Sequence, residues 1–219
     1  MLTLYHCISA RSFRPLWTLE EMGLDYKLEM LPFPPRVFAK GYKDINPLGT
    51  IPTFFDGDMR MTESSGICHY LATKYGPSPL AVDVGEADYG VWLNWLYFSD
   101  ATLTFPQTLY LRYTILETPE NRQPKVAEDY KKWFLGRLRV VESTLADREY
   151  LAAGRFTVAD IAIGFALMLA EILKLDGEFG PNVKAYWARL QQRPGYLKAI
   201  AAQDKGLSEM AGPKGVLVS

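Results

Sequence analysis

Hydrophobic and polar residues follow different patterns on either side of about residue 86. Before that point, short runs typical of strands alternate with segments whose apolar residues recur at three- and four-residue spacing; after it, only the helical spacing remains. Alternating strands and helices are typical of an α/β domain, and helical spacing alone is typical of an all-α domain. The pattern therefore predicts an α/β domain over residues 1–79, a linker at 80–86 and an all-helical domain over 87–219.

The first domain carries signals for four strands and two helices. Asp56-Gly57 lies between the last two strands and is a strong signal for a two-residue hairpin turn. Gly23 and the pair Gly76-Pro77 end the two helices. Strands are predicted at residues 2–6, 26–30, 53–55 and 59–61, and helices at 12–22 and from 64 to about 75.

The second domain begins with unusually aromatic helical segments and contains one clear helix start. At that start, the Thr157 hydroxyl can cap the Asp160 amide while the Asp160 carboxylate reaches back to the chain before the helix. Such a capping box predicts that a helix begins at about residue 157. Helices are predicted at 86–115, 123–146, 157–174, 182–192 and 195–203.

Charge and composition exclude several classes of protein. Lysine and arginine total 24 against 25 aspartate and glutamate, and no basic block is present, so a nucleic-acid partner is not expected. The N-terminus lacks the basic stretch of an export signal, and charged residues interrupt the most apolar stretch, residues 158–175. We therefore expect no membrane association and a cytoplasmic location.

The two cysteines, Cys7 and Cys68, also favour a reducing, cytoplasmic location. They form no Cys-x-x-Cys pair and share no metal-ligand spacing with the histidines, which predicts neither a disulfide framework nor a metal site. Cys7 stands at the end of the first predicted strand, and no second cysteine is near it in sequence. We therefore interpret it as a packed strand residue and not as a redox centre.

The segment that joins the first strand to the first helix is the first candidate for chemistry. Ligands of open α/β sheets collect beyond the carboxyl end of a strand, where the next helix start favours an anion. In this segment the Ser9 hydroxyl could donate a hydrogen bond to a thiolate and lower the pKa of that thiol. A serine in this place can equally be a helix cap or a loop residue.

Two further segments could hold parts of a ligand. Pro52 directly precedes a strand, so it must lie at an edge, a bulge or a tight turn, and a cis bond after Ile51 would turn the Ile51 backbone outward as a peptide-binding edge. At the next helix start, the Ser64 amide and hydroxyl could hold a carboxylate while Glu63 accepts from an ammonium group. A plain N-cap beside an acidic neighbour is the alternative for this pair.

Taken together, in this order and spacing, these segments resemble the glutathione transferase superfamily over nearly the whole chain. The resemblance is to bacterial and fungal members with a serine-dependent, theta- or delta-like site. It implies a thioredoxin-like βαβαββα domain that binds glutathione and a C-terminal helical bundle domain. The motifs that carry it are Leu4-Tyr5-His6, Ser12-Phe13-Arg14, Leu19-Glu20-Glu21-Met22-Gly23, Asn46-Pro47-Leu48-Gly49, Ile51-Pro52, Glu63-Ser64, Phe156-Thr157-Val158-Ala159-Asp160-Ile161 and Arg193-Pro194-Gly195-Tyr196.

The resemblance also assigns roles to individual residues. It implies that Ser9 activates the glutathione thiol, with Ser12 as the competing candidate, and that the Ile51–Pro52 bond is cis. Gly49 stands where the family often has a basic residue for the glycyl carboxylate, and Arg36 is one of the residues that could replace it. The glutathione-binding residues implied are Arg11, Lys40, Thr50, Ile51, Pro52, Glu63 and Ser64.

Aromatic residues of the second domain could bind the second substrate. Most aromatic residues at helical spacing belong to a core. The resemblance nevertheless implies an electrophile pocket where the predicted helix 86–115 faces the first domain, and a wide aromatic pocket suits apolar, planar electrophiles. The candidates are Tyr97, Phe105 and Tyr113, together with Phe33 from the loop after the second strand of the first domain.

The predicted function is that of a glutathione transferase, with glutathione as co-substrate, no metal, and a two-fold homodimer implied by the resemblance. A non-catalytic member of the same fold that binds or regulates a partner is one alternative. A glutathione-dependent reductase or isomerase is another; a serine instead of a cysteine at position 9 argues against the reductase but not against the isomerase.

Overall fold

The structure is a computed structural model that describes residues 1–212 and 214–215. It divides into two compact units, of which the first comprises Met1–Ser78 and Gln191–Ser219 and the second comprises Pro79–Leu190. The sequence pattern predicts that everything from residue 87 onward lies in the helical domain. In the structure, the chain from residue 191 instead belongs with the first unit.

A four-stranded sheet organises the first unit. Its strands are β1 (Leu2–His6), β2 (Tyr26–Met30), β3 (Thr53–Asp56) and β4 (Met59–Met61), in the order β2-β1-β3-β4. β1 runs parallel to β2 and antiparallel to β3, which in turn pairs antiparallel with β4. The strands lie where the pattern predicts them. The hairpin loop is shifted by one residue, because Asp56 still pairs with Met59 and leaves Gly57 and Asp58 as the turn.

The strand register gathers four chain segments at one edge of the sheet. His6, the last residue of β1, pairs with the last residue of β2, and Tyr5 pairs with Thr53, the first residue of β3. At the end of the hairpin, Phe54 pairs with Met61, the last residue of β4. The loops after β1, β2 and β4 and the segment before β3 therefore lie along the same edge.

Helices surround this sheet and make up the second unit. In chain order they are α1 (Phe13–Met22), α2 (Pro35–Phe38), α3 (Tyr42–Ile45), α4 (Ser64–Lys74), α5 (Tyr89–Phe98), α6 (Phe105–Leu111), α7 (Pro124–Thr144), α8 (Val158–Ile172), α9 (Pro181–Gln191) and α10 (Pro194–Glu209). Single π-helical turns at Ser99–Thr104 and Arg112–Leu116 follow α5 and α6, and short 3-10 turns occur at Pro119–Asn121 and Asp176–Glu178. Among the described residues, no helix is long and apolar enough to cross a membrane.

The predicted helix at 86–115 is interrupted in the structure. Pro106 explains part of the break, because it lacks an N–H donor and its ring would clash with the carbonyl group four residues earlier. The chain widens into a π-helical turn at Ser99–Thr104, immediately before the helix that contains this proline. Such insertions are recognised causes of helix kinks.

The last helix is held against α1 in the first unit. The Tyr196 ring makes T-shaped contacts with Phe13 and Trp17, at centroid distances of 5.6 and 5.0 Å. The Arg193 guanidinium makes a bidentate pair with the Glu21 carboxylate, at 2.8 and 2.9 Å. These aromatic contacts and the ion pair are the physical reason that α10 belongs to the first unit.

The second unit is centred on α8, whose residues are buried along nearly its whole length. The predicted capping box is confirmed at its start: the Thr157 hydroxyl accepts from the Ala159 amide, and the Asp160 carboxylate accepts from the Thr157 amide at 2.8 Å. The same carboxylate also accepts from the Tyr186 hydroxyl at 2.8 Å and the Leu151 amide at 3.1 Å. The helix start is therefore tied to the rest of the unit.

Candidate active site

The loop after β1 and the segment before β3 pack together at the edge of the sheet. Cys7 and Ala10 from the loop form one buried cluster with Tyr42 and Ile51, and the partly buried Phe33 packs against it. The sheet register and this cluster together bring the Ser9 segment next to Ile51. Two of the three segments singled out in the sequence therefore meet.

The Asn46-Pro47-Leu48-Gly49 motif supports the backbone before β3. Asn46 is buried, and its side-chain amide donates to the Thr50 carbonyl at 2.9 Å while its oxygen accepts from the Leu48 amide at 3.1 Å. The Tyr42 hydroxyl donates to the same carbonyl at 2.7 Å. These bonds fix the chain at Thr50 and Ile51, and the Ile51–Pro52 peptide that follows is cis.

Ser9 has an unusual backbone conformation. Its φ angle is +55°, in the left-handed region, where a residue with a Cβ is disfavoured by about 1–2 kcal/mol. Its amide donates to the Gln203 side-chain oxygen at 3.3 Å, and its side chain is half-buried. The Ser9 hydroxyl makes no hydrogen bond to any residue within 1–212 or 214–215. Backbone strain of this kind is concentrated at functional sites.

Ser12 is in a different environment, three residues later. Its side chain is completely buried, and its oxygen lies 2.7 Å from His6 Nδ1 and accepts from the Cys7 amide at 3.3 Å. His6 is also completely buried, and its Nε2 lies 3.2 Å from the Gln203 side-chain oxygen. Ser12, His6, Gln203 and the Ser9 amide thus form one connected network, called here the His6 network.

The direction of each hydrogen bond in the His6 network follows from its donors. The Ser9 amide can only donate, so the Gln203 atom facing it is the oxygen, and His6 must donate to that oxygen from Nε2. Burial lowers the pKa of His6 to about 4, so the ring is neutral near neutral pH and its Nδ1 is an acceptor. Ser12 therefore donates its single proton to Nδ1 and has none left for a ligand.

The start of α4 carries the third segment. Ser64 is buried there, and the Arg14 guanidinium donates to its hydroxyl oxygen at 2.9 Å; Glu63, one residue earlier, is exposed. Arg14 is completely buried, and it brings positive charge to the helix end that already favours anions. This role of Arg14 is not predicted from the sequence. The signal in the sequence is a charged residue between Phe13 and Leu16, two large apolar residues of the predicted helix.

The basic residues near Gly49 differ in how they relate to this segment. Gly49 has φ +61°, and a Cβ placed on it would lie 2.8 Å from the Arg36 Cβ and 3.6 Å from the Lys43 Cε. No side chain fits at position 49, and the space beside it is taken by the base of Arg36. Arg11 and Lys40, the other candidates from the sequence, are exposed. Arg11 lies in the Ser9 segment itself, where its carbonyl accepts from the Arg14 amide at 3.2 Å.

The candidate aromatic residues for a second substrate come from both units of the chain. Phe33 lies in the first unit, beside the buried cluster already described. In the second unit, Tyr97 is 56% exposed, and Phe105 is 49% exposed and makes edge contacts with Tyr130 and Trp133 of α7. Tyr113 is partly buried beside Arg112. Their role in substrate binding therefore stays a prediction.

Cys7 lies close to this site, but its thiol is not set up for chemistry. It is completely buried and donates to the Pro32 carbonyl at 3.6 Å. Burial raises the pKa of the Cys7 thiol to about 12. The thiol therefore stays protonated at physiological pH, as expected for a packed residue.

The fold defines the class of protein. A sheet of order β2-β1-β3-β4 with a parallel pair and an antiparallel hairpin, covered by helices, is a thioredoxin-like unit, and here it accompanies an all-helical unit. Together they make the glutathione transferase fold. The match to known sequences agrees with this class. Residues 8–74 match the description "Glutathione S-transferase, N-terminal domain", and residues 100–194 match "Glutathione S-transferase, C-terminal domain".

Individual relatives cover nearly the whole chain. "Glutathione S-transferase" of Hyoscyamus muticus is 32% identical over 209 residues, covering 88% of this chain and 94% of the relative. "Glutathione S-transferase 3" of Zea mays is 31% identical over 209 residues, covering 89% and 90%. The solved structure of the glutathione transferase URE2P6 from Phanerochaete chrysosporium, in complex with oxidized glutathione, has a TM-score of 0.81 at 28% identity and covers 94% of this chain and 97% of that one. The chain belongs to the glutathione S-transferase family.

Proposed function

We propose that this protein conjugates glutathione to apolar electrophiles, and that the Ser9 hydroxyl holds the glutathione sulfur as a thiolate. One observation carries the assignment of Ser9: of the two candidate serines, Ser9 has a hydroxyl proton with no partner among the described residues, whereas the Ser12 proton is donated to His6. A hydrogen bond donated to the charged form of a thiol lowers its pKa. Membership of the family, and the relative solved with oxidized glutathione, support glutathione as the ligand.

Glutathione would lie along the edge of the sheet. Its cysteinyl part would pair with the backbone of Ile51, beside Thr50 and Pro52, whose position is fixed by Asn46 and Tyr42. The γ-glutamyl carboxylate would take the α4 start, where the Ser64 amide and hydroxyl are backed by the charge of Arg14. Glu63 would accept from the γ-glutamyl ammonium group.

The glycyl carboxylate would be bound by a basic side chain on the other side of Ile51. Arg36 is the residue we favour, because its base closes the space over Gly49, the position directly before Thr50. Arg11 and Lys40 are the alternatives predicted from the sequence. An arginine can hold a carboxylate through two parallel hydrogen bonds, which suits a ligand terminus.

The reaction follows from these contacts. Glutathione binds and its thiol proton leaves to solvent, because the Ser9 hydroxyl stabilises the thiolate. The sulfur then attacks the electrophilic carbon with its electron pair, a C–S bond forms, and a leaving group such as chloride departs with the electrons of its bond. Holding both reactants together supplies orientation, and Phe33, Tyr97, Phe105 and Tyr113 are the proposed apolar contacts for the electrophile.

The test compares two serine variants in the conjugation of glutathione to 1-chloro-2,4-dinitrobenzene. We expect Ser9→Ala to lower kcat/KM by about 10- to 100-fold, while the KM for glutathione changes less than about threefold. Ser12→Ala is the matched control and should retain turnover. Equal loss in both variants, or full activity in Ser9→Ala, would contradict the assignment. Binding of glutathione without any conjugation by the unaltered protein would favour a binding or regulatory role instead.

We also propose that the protein forms a two-fold homodimer and that it is located in the cytoplasm. Oligomers of identical chains are most commonly two-fold dimers, and the family resemblance points to the same arrangement. Light scattering of the purified protein checks the dimer. A mass equal to that of one chain would overturn it.

A further inference from the structure

We propose that Gln203 is the positioning residue of the thiol-activating loop: its side-chain oxygen holds the Ser9 backbone in its left-handed conformation and, through His6, keeps the Ser12 proton out of the site. This inference rests on the proposed function, because it assigns a role to Gln203 only through Ser9. It concerns α10, a helix that carries none of the site residues predicted from the sequence.

The Gln203 oxygen serves two donors that come from different parts of the chain. It lies 3.3 Å from the Ser9 amide nitrogen and 3.2 Å from His6 Nε2. A side-chain amide oxygen has two lone pairs, so both bonds can form at once. Gln203 is buried, and it is 194 residues away from Ser9 in sequence.

The bond to the Ser9 amide opposes a conformational preference of the loop. With φ +55°, Ser9 occupies a region that residues other than glycine avoid, so the loop needs a compensating contact to stay there. The direction of a side chain from the backbone is set by φ and ψ. If the amide lost its partner, Ser9 would relax towards the right-handed or extended region, and its hydroxyl would point elsewhere.

The bond to His6 sets the direction of the remaining hydrogen bonds. Because the Gln203 oxygen can only accept, His6 carries its proton on Nε2 and accepts at Nδ1. Nδ1 then needs a donor, and the Ser12 hydroxyl donates its single proton to it. Gln203 thus acts on both candidate serines. It positions Ser9, and through His6 it keeps the Ser12 proton in the hydrogen bond to Nδ1.

Gln203 can act this way because α10 is held rigidly on the first unit. At one end of the helix, the Arg193–Glu21 pair and the ring contacts of Tyr196 fix it to α1. At the other end, a Cβ on Gly206 would collide with the Met30 side chain of β2, so the helix approaches the sheet closely there. Gln203 lies between these two anchor points.

The principal experiment replaces Gln203→Met, which keeps the length of the side chain and removes the acceptor. The pKa of the bound glutathione thiol is read from the ultraviolet absorbance of the thiolate as a function of pH. We expect Gln203→Met to raise this pKa by about one unit, equivalent to about a tenfold loss of thiolate on the acid side, with the KM for glutathione changed less than about threefold. Gln192→Met makes the same change at an exposed position before α10 and should leave the thiol pKa unaltered.

A conservative variant separates the hydrogen bonds from simple packing. Gln203→Glu keeps oxygen acceptors for both donors. The pKa of its bound glutathione thiol should therefore stay closer to the value of the unaltered protein than the pKa in Gln203→Met does. A folded Gln203→Met protein with an unchanged thiol pKa would overturn the inference. Equal shifts in the Met and Glu variants would also overturn it, because the acceptor would then not be what matters.

The Ser9→Ala variant distinguishes failure of this inference from failure of the proposed function. If Ser9→Ala leaves the thiol pKa unchanged, Ser9 is not the activator and the proposed function is wrong in that respect. If Ser9→Ala raises the pKa but Gln203→Met does not, only the role of Gln203 is wrong. In a Ser9→Ala background, Gln203→Met should add no further shift, because both changes act through the same group.

One measurement needs no substitution at all and covers the case in which Gln203→Met does not fold. Amide hydrogen exchange of the unaltered protein should show Ser9 protected, although it lies in a partly exposed loop. Exchange of the Ser9 amide at the rate of an open loop would contradict the bond to Gln203 and with it the inference.

Discussion

Each of the two units contains a completely buried titratable side chain in a hydrogen-bond network, and the two networks differ in where they lead. In the second unit, Asp160 accepts from Thr157, Tyr186 and Leu151, all within that unit's own packing. In the first unit, the His6 network ends at the half-buried Ser9 at the edge of the sheet. A closed network of this kind supports the fold, whereas an open one can also position a reactive group.

The same physical cause shifts the pKa values of His6 and Asp160 in opposite directions. Burial disfavours the charged form, so it lowers the pKa of His6 to about 4 and raises the pKa of Asp160 to about 6. The comparison therefore makes predictions of opposite sign for the stability of the protein in acid. Replacing Asp160 should reduce stability, whereas replacing Ser9, at the open end of the His6 network, should reduce activity.

The largest effect is expected for Asp160→Asn. The carboxylate accepts four hydrogen bonds, from the Leu151 and Thr157 amides and the Tyr186 and Thr157 hydroxyls. An amide nitrogen in place of one oxygen would face two of these donors, so we expect the free energy of unfolding to fall by about 3 kcal/mol or more near neutral pH. Chemical denaturation measures this loss. A change below about 1 kcal/mol would contradict the structural role of the network.

The next effect is the pH dependence of stability. For His6, the folded pKa lies below the unfolded value of 6.5, so its contribution is fully present above that value and is lost as the pH falls towards about 4. For Asp160, the folded pKa lies above the unfolded value of 3.8, so its contribution is present below that value and is lost as the pH rises through about 6.

The two variants should therefore respond to acid in opposite ways. We expect the difference in unfolding free energy between the unaltered protein and His6→Asn to shrink by about 2 kcal/mol from neutral pH to about pH 4.5. The corresponding difference for Asp160→Asn should grow over the same range. Denaturation curves at several pH values give both numbers. A difference that does not vary with pH would show that the group concerned is not buried as described.

The smallest effect is expected for Ser12→Ala. This change leaves His6 Nδ1 and the Cys7 amide without their partner, and we expect a loss of about 1–2 kcal/mol in unfolding free energy with turnover almost unchanged. Ser9→Ala is the counterpart and should change turnover with little effect on stability. Thermal unfolding of both variants beside their kinetics makes the comparison. A large loss of turnover in Ser12→Ala would remove the distinction between the two serines.

Much of the fold could be predicted because its signals are local. The four strands, the end of α1 at Gly23 and the capping box at Thr157 each depend on residues a few positions apart. α2 and α3 were not predicted, since helices of four residues are too short for periodicity to show. Their presence nevertheless closes the chain over Gly49.

The site could be predicted only in part, because its decisive contacts are distant in sequence. The motifs single out Ser9, Ile51 and Ser64 as candidates, but the contact of Arg14 with Ser64 spans 50 residues and that of Gln203 with Ser9 spans 194. No periodicity or motif specifies such pairs. The placement of α10 in the first unit has the same origin, since it depends on Tyr196 and Arg193 meeting α1.

The role of Ser9 is best tested by the pKa of the bound glutathione thiol, measured in the unaltered protein and in Ser9→Ala. A free cysteine thiol has a pKa of about 8.5, and a donated hydrogen bond should bring the bound thiol at least about one unit below it. We predict that a substantial fraction of the bound thiol in the unaltered protein is ionised near neutral pH and that Ser9→Ala returns its pKa towards the free value. A bound thiol with the same pKa in both proteins would contradict it.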